Sequence, residues 1–312
     1  QTYPPVGDSW FNNEKQHYTD RIENSYVSNG SLKIKAIKES YEDPTRGSTK
    51  QYTSARLNSK YAFKYGRVEV RAKLPAAQGT WPAIWTLGKN IIENGSYWKT
   101  QGFGNKSWPA CGEIDIMEQS GDKSKISGAF HFLDNSGNNT YTYNYLSVSN
   151  SDSSWHVYAV DWNARTIELS VDGTVFHTLN NSQNDYFDNE HFILLNIAMG
   201  GNLGGNIPEY FSSDVMEIDY VRIYDLQPLS SGLIANQNIE VNIYPNPSMG
   251  QFYVEAADII NKIVIYDLTG RTLSKYHPFN DKESISINES PGIYFIKVTG
   301  DKFEKVIKLI IK

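Results

Sequence analysis

The sequence predicts an all-β protein: two stacked antiparallel sheets, a sandwich or jelly roll, followed by a second, smaller β-sandwich domain. Three observations lead there. Apolar and polar residues alternate with a period of two in many short runs, Arg67–Leu74 without a break. Gly, Asn and Pro turns punctuate those runs. Helical periodicity of useful length is missing. At 312 residues the chain can hold two domains. Residues 227–238, Gln-Pro-Leu-Ser-Ser-Gly-Leu-Ile-Ala-Asn-Gln-Asn, shift to small and polar types and mark a linker. The expected division is 1–226, a linker at 227–238, and a small all-β module at 239–312.

Composition narrows the partners. Aromatics make up 13% of the residues and charged side chains 21%, so the chain is rich in stacking surface without the Lys/Arg excess of a nucleic-acid binder. A net charge of −6 also argues against anionic polymers. The single cysteine excludes an intramolecular disulfide framework but not secretion. No run of about 20 apolar residues is present to span a membrane. Gln1-Thr2-Tyr3-Pro4-Pro5 is an abrupt, coil-like start with no signal peptide.

Taken in order, Arg67–Leu74 is a half-buried strand. On Trp81–Trp85, parity puts Trp81, Ala83 and Trp85 on one face. Trp155–Trp162 is an aromatic-rich strand, and Thr166–Leu179 folds about Asp172-Gly173, a type I′ hairpin signal. His191–Ala198 is continuously apolar, and Met216–Tyr224 alternates again.

The chemistry concentrates in Cys111–Gly121, where three acids interrupt a buried-strand pattern. Glu113 and Asp115 project to one side, Ile114 and Ile116 to the other. Strict alternation would send Glu118 into the core, where an unpaired carboxylate costs several kcal/mol. One extra residue near Ile116-Met117, a β-bulge, returns Glu118 to the acidic face. Glu113 and Glu118 then stand about 13 Å apart at Cα, a gap their side chains can narrow toward the ~5–5.5 Å of a retaining glycosidase, short of the ~6.5–9.5 Å of an inverting one. Crowded acids cannot all ionise freely, so one keeps its proton and another stays charged. The competing role for alternating acids is a solvated strand face. Cys111 shares the parity of Glu113 but lacks partners for nucleophilic chemistry, and is expected to be a packed thiol.

Flanking residues favour the catalytic reading. Trp108-Pro109-Ala110-Cys111 precedes the Gly-Glu-Ile-Asp-Ile-Met-Glu string, and Trp81-Pro82-Ala83-Ile84-Trp85 lies upstream. With these the chain resembles the laminarinase-type members of glycoside hydrolase family sixteen over residues 1 to about 225, most specifically at 79–121. That family carries E-I-D-x-x-E in bulged form, a W-P-A-x-W strand, and a late G-G-N segment, here Gly200-Gly201-Asn202. The resemblance implies a jelly roll whose concave sheet forms the substrate cleft. It implies retaining endo-hydrolysis of β-1,3 bonds in a laminarin-like glucan, with no cofactor for catalysis. Glu113 is then the nucleophile, Glu118 the acid and base, and Asp115 tunes the pair. The family's order puts the nucleophile first; spacing alone allows either.

Substrate contacts follow in the same way. Trp85 and Trp81 offer indole faces to pyranose rings, with core packing as the alternative. Trp108, in the turn before the acids, is a further platform, and Trp98 lies in a long 89–107 loop that could wall the groove. His131 matches a site histidine that touches substrate or supports Glu118. Arg56 and Asn13 match positions that contact sugar hydroxyls, unless they are exposed loop residues. Leu203 stands where relatives often have an aromatic. Relatives also often hold a structural calcium through a carbonyl near Gly30 and an aspartate matching Asp219. Part of its six to eight oxygens would come from a first strand expected to be missing here. Spacings for zinc, Ser-His-Asp or phosphate loops are absent. Rival activities are mixed-linkage β-1,3/1,4-glucan, agar or carrageenan hydrolysis, or β-glucan binding without cleavage.

Beyond the linker, Tyr244-Pro245-Asn246-Pro247, Gly250, Ile265–Arg271, Pro291–Val298 and the terminal Lys308–Lys312 resemble the C-terminal sorting domain of the type nine secretion pathway; a carbohydrate-binding appendage is the alternative. Together these imply a secreted or cell-surface monomer whose partners are a β-glucan and the secretion machinery.

Overall fold

The computed structural model describes residues 10–45, 47–182, 184–224, 240–300 and 303–312. The linker at 227–238 and the coil-like start lie outside them. The chain divides into two compact units, 1–226 and 227–312.

In the first unit two sheets face each other. One has nine strands, ordered His17–Tyr18, Thr49–Ser54, Ser31–Glu42, Ser213–Tyr224, Gly66–Lys73, His156–Trp162, Thr166–Val171 and Thr174–Asn180, with Ser25–Ser28 beside Ser31–Glu42. The other has six: Asn139–Ser147, Lys125–Leu133, Glu113–Glu118, Thr80–Gly88, His191–Met199 and Arg56–Phe63. Pairing is antiparallel except at His17–Tyr18, which runs parallel to Thr49–Ser54. The alternation in Gly66–Lys73 is realised: Val68, Val70 and Ala72 are fully buried between the sheets. The Asp172-Gly173 hairpin also forms, both residues at positive φ as a type I′ turn requires.

His191–Met199 is buried at every position, for a reason visible in its packing. Ile193, Leu195, Ile197 and Met199 join the core between the sheets. Phe192 and Leu194 pack on the other face beneath Trp98 and Ile91 of the 89–107 segment. A strand covered on both sides has no polar face to show.

The second unit is a single six-stranded sheet built round the long strand Gln251–Tyr266. That strand pairs with Val241–Tyr244, Thr272–Tyr276, Asn280–Ser286 and Gly292–Gly300, and the last of these pairs with Glu304–Ile311. Phe252, Val254, Ile263, Ile265, Ile296, Val298 and Leu309 form its own core.

Candidate active site

The acidic strand carries the bulge. Against Thr80–Gly88, Trp85 pairs with Asp115 and Ile84 with Met117, so Ile116 has no partner of its own. Against Lys125–Leu133, Asp115 pairs with Ala129 and Glu118 with Ser127, leaving Ile116 and Met117 opposite Gly128 alone. Ile114, Ile116 and Met117 are all fully buried, while Glu113, Asp115 and Glu118 share the cleft. Glycine opposite the bulge leaves room for close packing: a Cβ at Gly128 would lie 2.5 Å from Leu169 Cδ1, 2.9 Å from Phe176 Cζ and 3.0 Å from the backbone oxygen of Asp115.

Each acid meets a ring donor. Trp108 Nε1 donates to Glu113 Oε2 at 3.2 Å, and Trp81 Nε1 to Glu118 Oε1 at 2.9 Å. His131 Nε2 lies 3.1 Å from Asp115 Oδ2 and 3.8 Å from Glu113 Oε1. His131 therefore lies against Asp115 and Glu113, and its electrostatic influence on Glu118, further along the same strand, is longer-range. The reason is register: Glu113 pairs directly with His131.

Burial raises all three carboxyls. Glu118 is pushed up to about 8 by desolvation and then by Asp115, against the Trp81 N–H. Asp115 is pushed up to about 8 by desolvation. Glu113 is raised by desolvation and by its charged neighbours Asp115 and Glu118, and lowered by His131 and Trp108. Below about pH 8, where Asp115 and Glu118 hold protons, those two repulsions vanish while the Trp108 hydrogen bond persists. With its neighbours protonated Glu113 is relieved of both repulsions, while burial still raises it well above the usual carboxylate range.

A cavity of about 520 Å³ opens beside the acids, lined by Trp81, Trp85, Arg56 and Trp108 among others. Trp81 is at once cleft lining and hydrogen-bond donor, which resolves its competing roles. Trp108 is 45% exposed, a free indole face at the rim. Arg56 is no loop residue. It is 5% exposed, paired with Glu93 at 3.0 Å, and its guanidinium lies 4.9 Å from the ring centres of both Trp10 and Trp85. It stiffens the cavity wall. Asn13 is outside that lining; its Nδ2 donates to Asn202 Oδ1 at 2.9 Å, fastening the Gly200-Gly201-Asn202 loop, while Asn12 reaches the cavity. Leu203 is partly exposed. Trp98 is buried and donates to Ser59 O at 3.2 Å; it is core, and Ile91, Ile92, Glu93 and Asn94 of its segment form the wall. Cys111 is buried and its thiol pushed up by desolvation, as a packed thiol should be.

Sequence reasoning missed a polar chain in the cavity wall. Trp85 Nε1 donates to Asn196 Oδ1 at 2.7 Å, Asn196 Nδ2 to the Tyr18 hydroxyl at 3.1 Å, and that hydroxyl to Glu14 Oε2 at 3.2 Å. One signal was readable: Asn196 is the single amide in an otherwise apolar run.

The calcium expectation fares poorly on fit. Asp219 is ion-paired with Arg71, and Glu217 on the same strand with Lys33 and Lys73. Calcium needs six to eight oxygens, and Asp219 and Glu217 are already neutralised by cations. Gly30 is a turn glycine at φ 76°. The one described group of three or more His, Cys, Asp or Glu with ligand atoms close enough for an ion is Glu113, Asp115 and His131. We expect EDTA to leave the melting temperature of the first unit unchanged; a drop reversed by Ca²⁺ would show a site on the convex face after all.

A bulged strand presenting three acids over a concave, indole-lined sheet defines a polysaccharide hydrolase. The chain belongs to family 16 of the glycosyl hydrolases, whose profile matches residues 12–222, and a secretion system C-terminal sorting domain matches 242–312. The catalytic unit of LamA from Zobellia galactanivorans is 57% identical with a TM-score of 0.69, over 72% of this chain and 89% of that one. A variant of the Zobellia protein, solved with laminaritriose and laminaritetraose, is 56% identical with a TM-score of 0.69, over 72% of this chain and 90% of that one. Glucan endo-1,3-beta-glucosidase A1 of Niallia circulans is 36% identical over 72% of this chain, which spans 34% of that longer protein. Beta-glucanase of Rhodothermus marinus is 36% identical over 71% of this chain and 78% of its own length. The protein is a glycoside hydrolase that acts without a cofactor for catalysis. Its tail marks it as secreted or attached to the cell surface.

Proposed function

We propose that the first unit cuts internal β-1,3 bonds of a laminarin-like glucan with retention of configuration. The observation that carries this is the bulge, which puts Glu113, Asp115 and Glu118 on one face beside indoles suited to pyranose stacking. The names of the similar proteins point to the same substrate class.

Glu113 attacks the anomeric carbon while Glu118, protonated at neutral pH, gives its proton to the departing glycosidic oxygen. The glycosyl–Glu113 ester is then hydrolysed by a water that loses its proton to Glu118. Asp115, also protonated, adds no second negative charge beside Glu113 and so lowers the cost of that carboxylate's charge. One chain supplies every wall of the described cleft, in keeping with a monomer.

The test is hydrolysis of laminarin followed by chromatography and by NMR of the first reducing ends. A ladder of laminari-oligosaccharides, born as β-anomers, is expected; α-anomers at the outset would overturn retention. Faster cutting of mixed-linkage glucan, agar or carrageenan would shift the substrate to a rival, and binding without turnover would make the chain a glucan-recognition protein. Because the Trp81 N–H favours the charged form of Glu118, Trp81→Phe should move the alkaline limb of kcat/KM to higher pH, and an unmoved limb would detach Trp81 from the acid.

A further inference from the structure

At the free edge of the concave sheet, Tyr141, Tyr143 and Tyr145 stand in a row, 58, 52 and 54% exposed. The strand's other face is spoken for: Asn144 Nδ2 donates to Phe176 O at 2.7 Å, and Thr142 Oγ1 meets His177 Nε2 at 3.2 Å. The tyrosines lie on the cleft side, because Tyr141 stacks on His131 at 5.4 Å and His131 faces Asp115. The rings continue without a gap: Trp108 to His131 at 5.6 Å, Tyr141 to Tyr143 at 5.7 Å, Tyr143 to Tyr145 at 5.3 Å.

Register ties this row to the acids. Glu113 pairs with His131 and His131 with Tyr141; Asp115 with Ala129 and Ala129 with Tyr143; Glu118 with Ser127 and Ser127 with Tyr145. Each acid thus has a tyrosine two strands away, about 10 Å at the usual strand spacing. Only Ala129 and Ser127 stand between Tyr143 or Tyr145 and the acidic strand. Trp81 and Trp85 sit on the opposite side of that strand, on Thr80–Gly88. A chain crossing the sheet over the acids therefore leaves the indoles on one side and meets the tyrosines on the other.

We infer that Tyr143 and Tyr145 form a binding platform for the arm of the β-glucan that runs away from Trp81 and Trp85, beyond the sugars that straddle the cut bond. This rests on the glucanase reading of the site. Three exposed aromatic rings in contact leave a surface that water covers at a cost and a pyranose C–H face covers well. All nine residues of Asn139–Ser147 are uncharged, which suits a neutral polysaccharide. Continuity through Trp108 and His131 joins the platform to the cleft.

The experiment measures kcat/KM on laminarin and on laminaritriose, using the full chain and its Y143A/Y145A and Y143F/Y145F forms. A triose places at most one sugar beyond the pair that straddles the cut bond, whereas laminarin covers the whole row. The laminarin-to-triose ratio should fall about tenfold in the alanine form and hold in the phenylalanine form, since the ring face and not the hydroxyl makes the contact. An unchanged ratio in the alanine form overturns the platform, including the case where both rates fall together through loss of fold. Equal losses in both double variants also overturn it. Gel filtration of the parent tests a second copy of the chain as occupant of this edge: a dimer dispersed by the alanine changes overturns the glucan assignment. If the unmodified chain cuts no laminarin, the glucanase reading fails, and that is seen before any variant is made.

Discussion

Glu113→Ala abolishes release of reducing ends from laminarin, a loss of more than about a thousandfold, and azide restores turnover with a glycosyl azide as product. Removing the carboxylate deletes the atom that attacks the sugar and leaves a space beside the anomeric carbon. A small anion can enter there, still aided by Glu118 as proton donor. Glu118→Gln behaves differently: it slows hydrolysis by roughly 10²–10⁴-fold and spares glucosides whose leaving group departs without a proton. Those two signatures distinguish the roles, whose order the spacing leaves open. Azide rescue in Glu118→Gln and none in Glu113→Ala would reverse the assignment.

Activity falls as pH rises through about 8, because Glu118, pushed up to about 8, loses the proton it must donate. The same burial makes stability depend on pH, with a definite sign. Asp115 and Glu118 have ordinary values of 3.8 and 4.5 and are pushed up to about 8 in the fold. The folded state keeps protons that the unfolded chain sheds, so this stabilisation is complete below the unfolded values and drains away as pH rises toward 8. His191, pulled from 6.5 down to about 3 by burial, contributes stability above 6.5 that is lost on acidification. Lys123, pulled from 10.5 down to about 8, acts only in the window above that value. Between about pH 6.5 and 8 the carboxyls set the slope, roughly 1.4 kcal/mol per pH unit for each proton that the folded state alone retains. That is several degrees in Tm for a unit of this size. All seven tryptophans lie in the first unit, so indole fluorescence follows its melting. Asp115→Asn should flatten the slope; a Tm that is level across this window in the parent would refute the protonated cluster.

How much of this the sequence holds depends on the range of the interaction. The bulge was legible because it is a local conflict: an acid falls out of phase in an apolar run, and one extra residue repairs it. Trp81 and Trp85 were legible as face-mates from parity, but the Trp81 bond to Glu118 was not, since it depends on cross-strand register. Register also moved His131 to Asp115 and Glu113. The setting of Arg56 was not legible, because its partners, Glu93, Trp10 and Trp85, are scattered along the chain and meet only through the fold. The pairing of Asp219 with Arg71, on the neighbouring strand, was likewise out of reach until the register was known.

Both glutamates hang from one short length of backbone, hydrogen-bonded along both edges to Thr80–Gly88 and Lys125–Leu133. No hinge runs between them, so backbone motion on binding leaves the spacing of their Cα atoms unchanged, and only side-chain rotation adjusts the gap in which the sugar is cut. Adaptation to linkage and chain shape has to come from the polysaccharide and from the walls. Loss of a single residue at Ile116 or Met117 would turn Glu118 inward and silence the enzyme in one step, whereas the walls can change piece by piece.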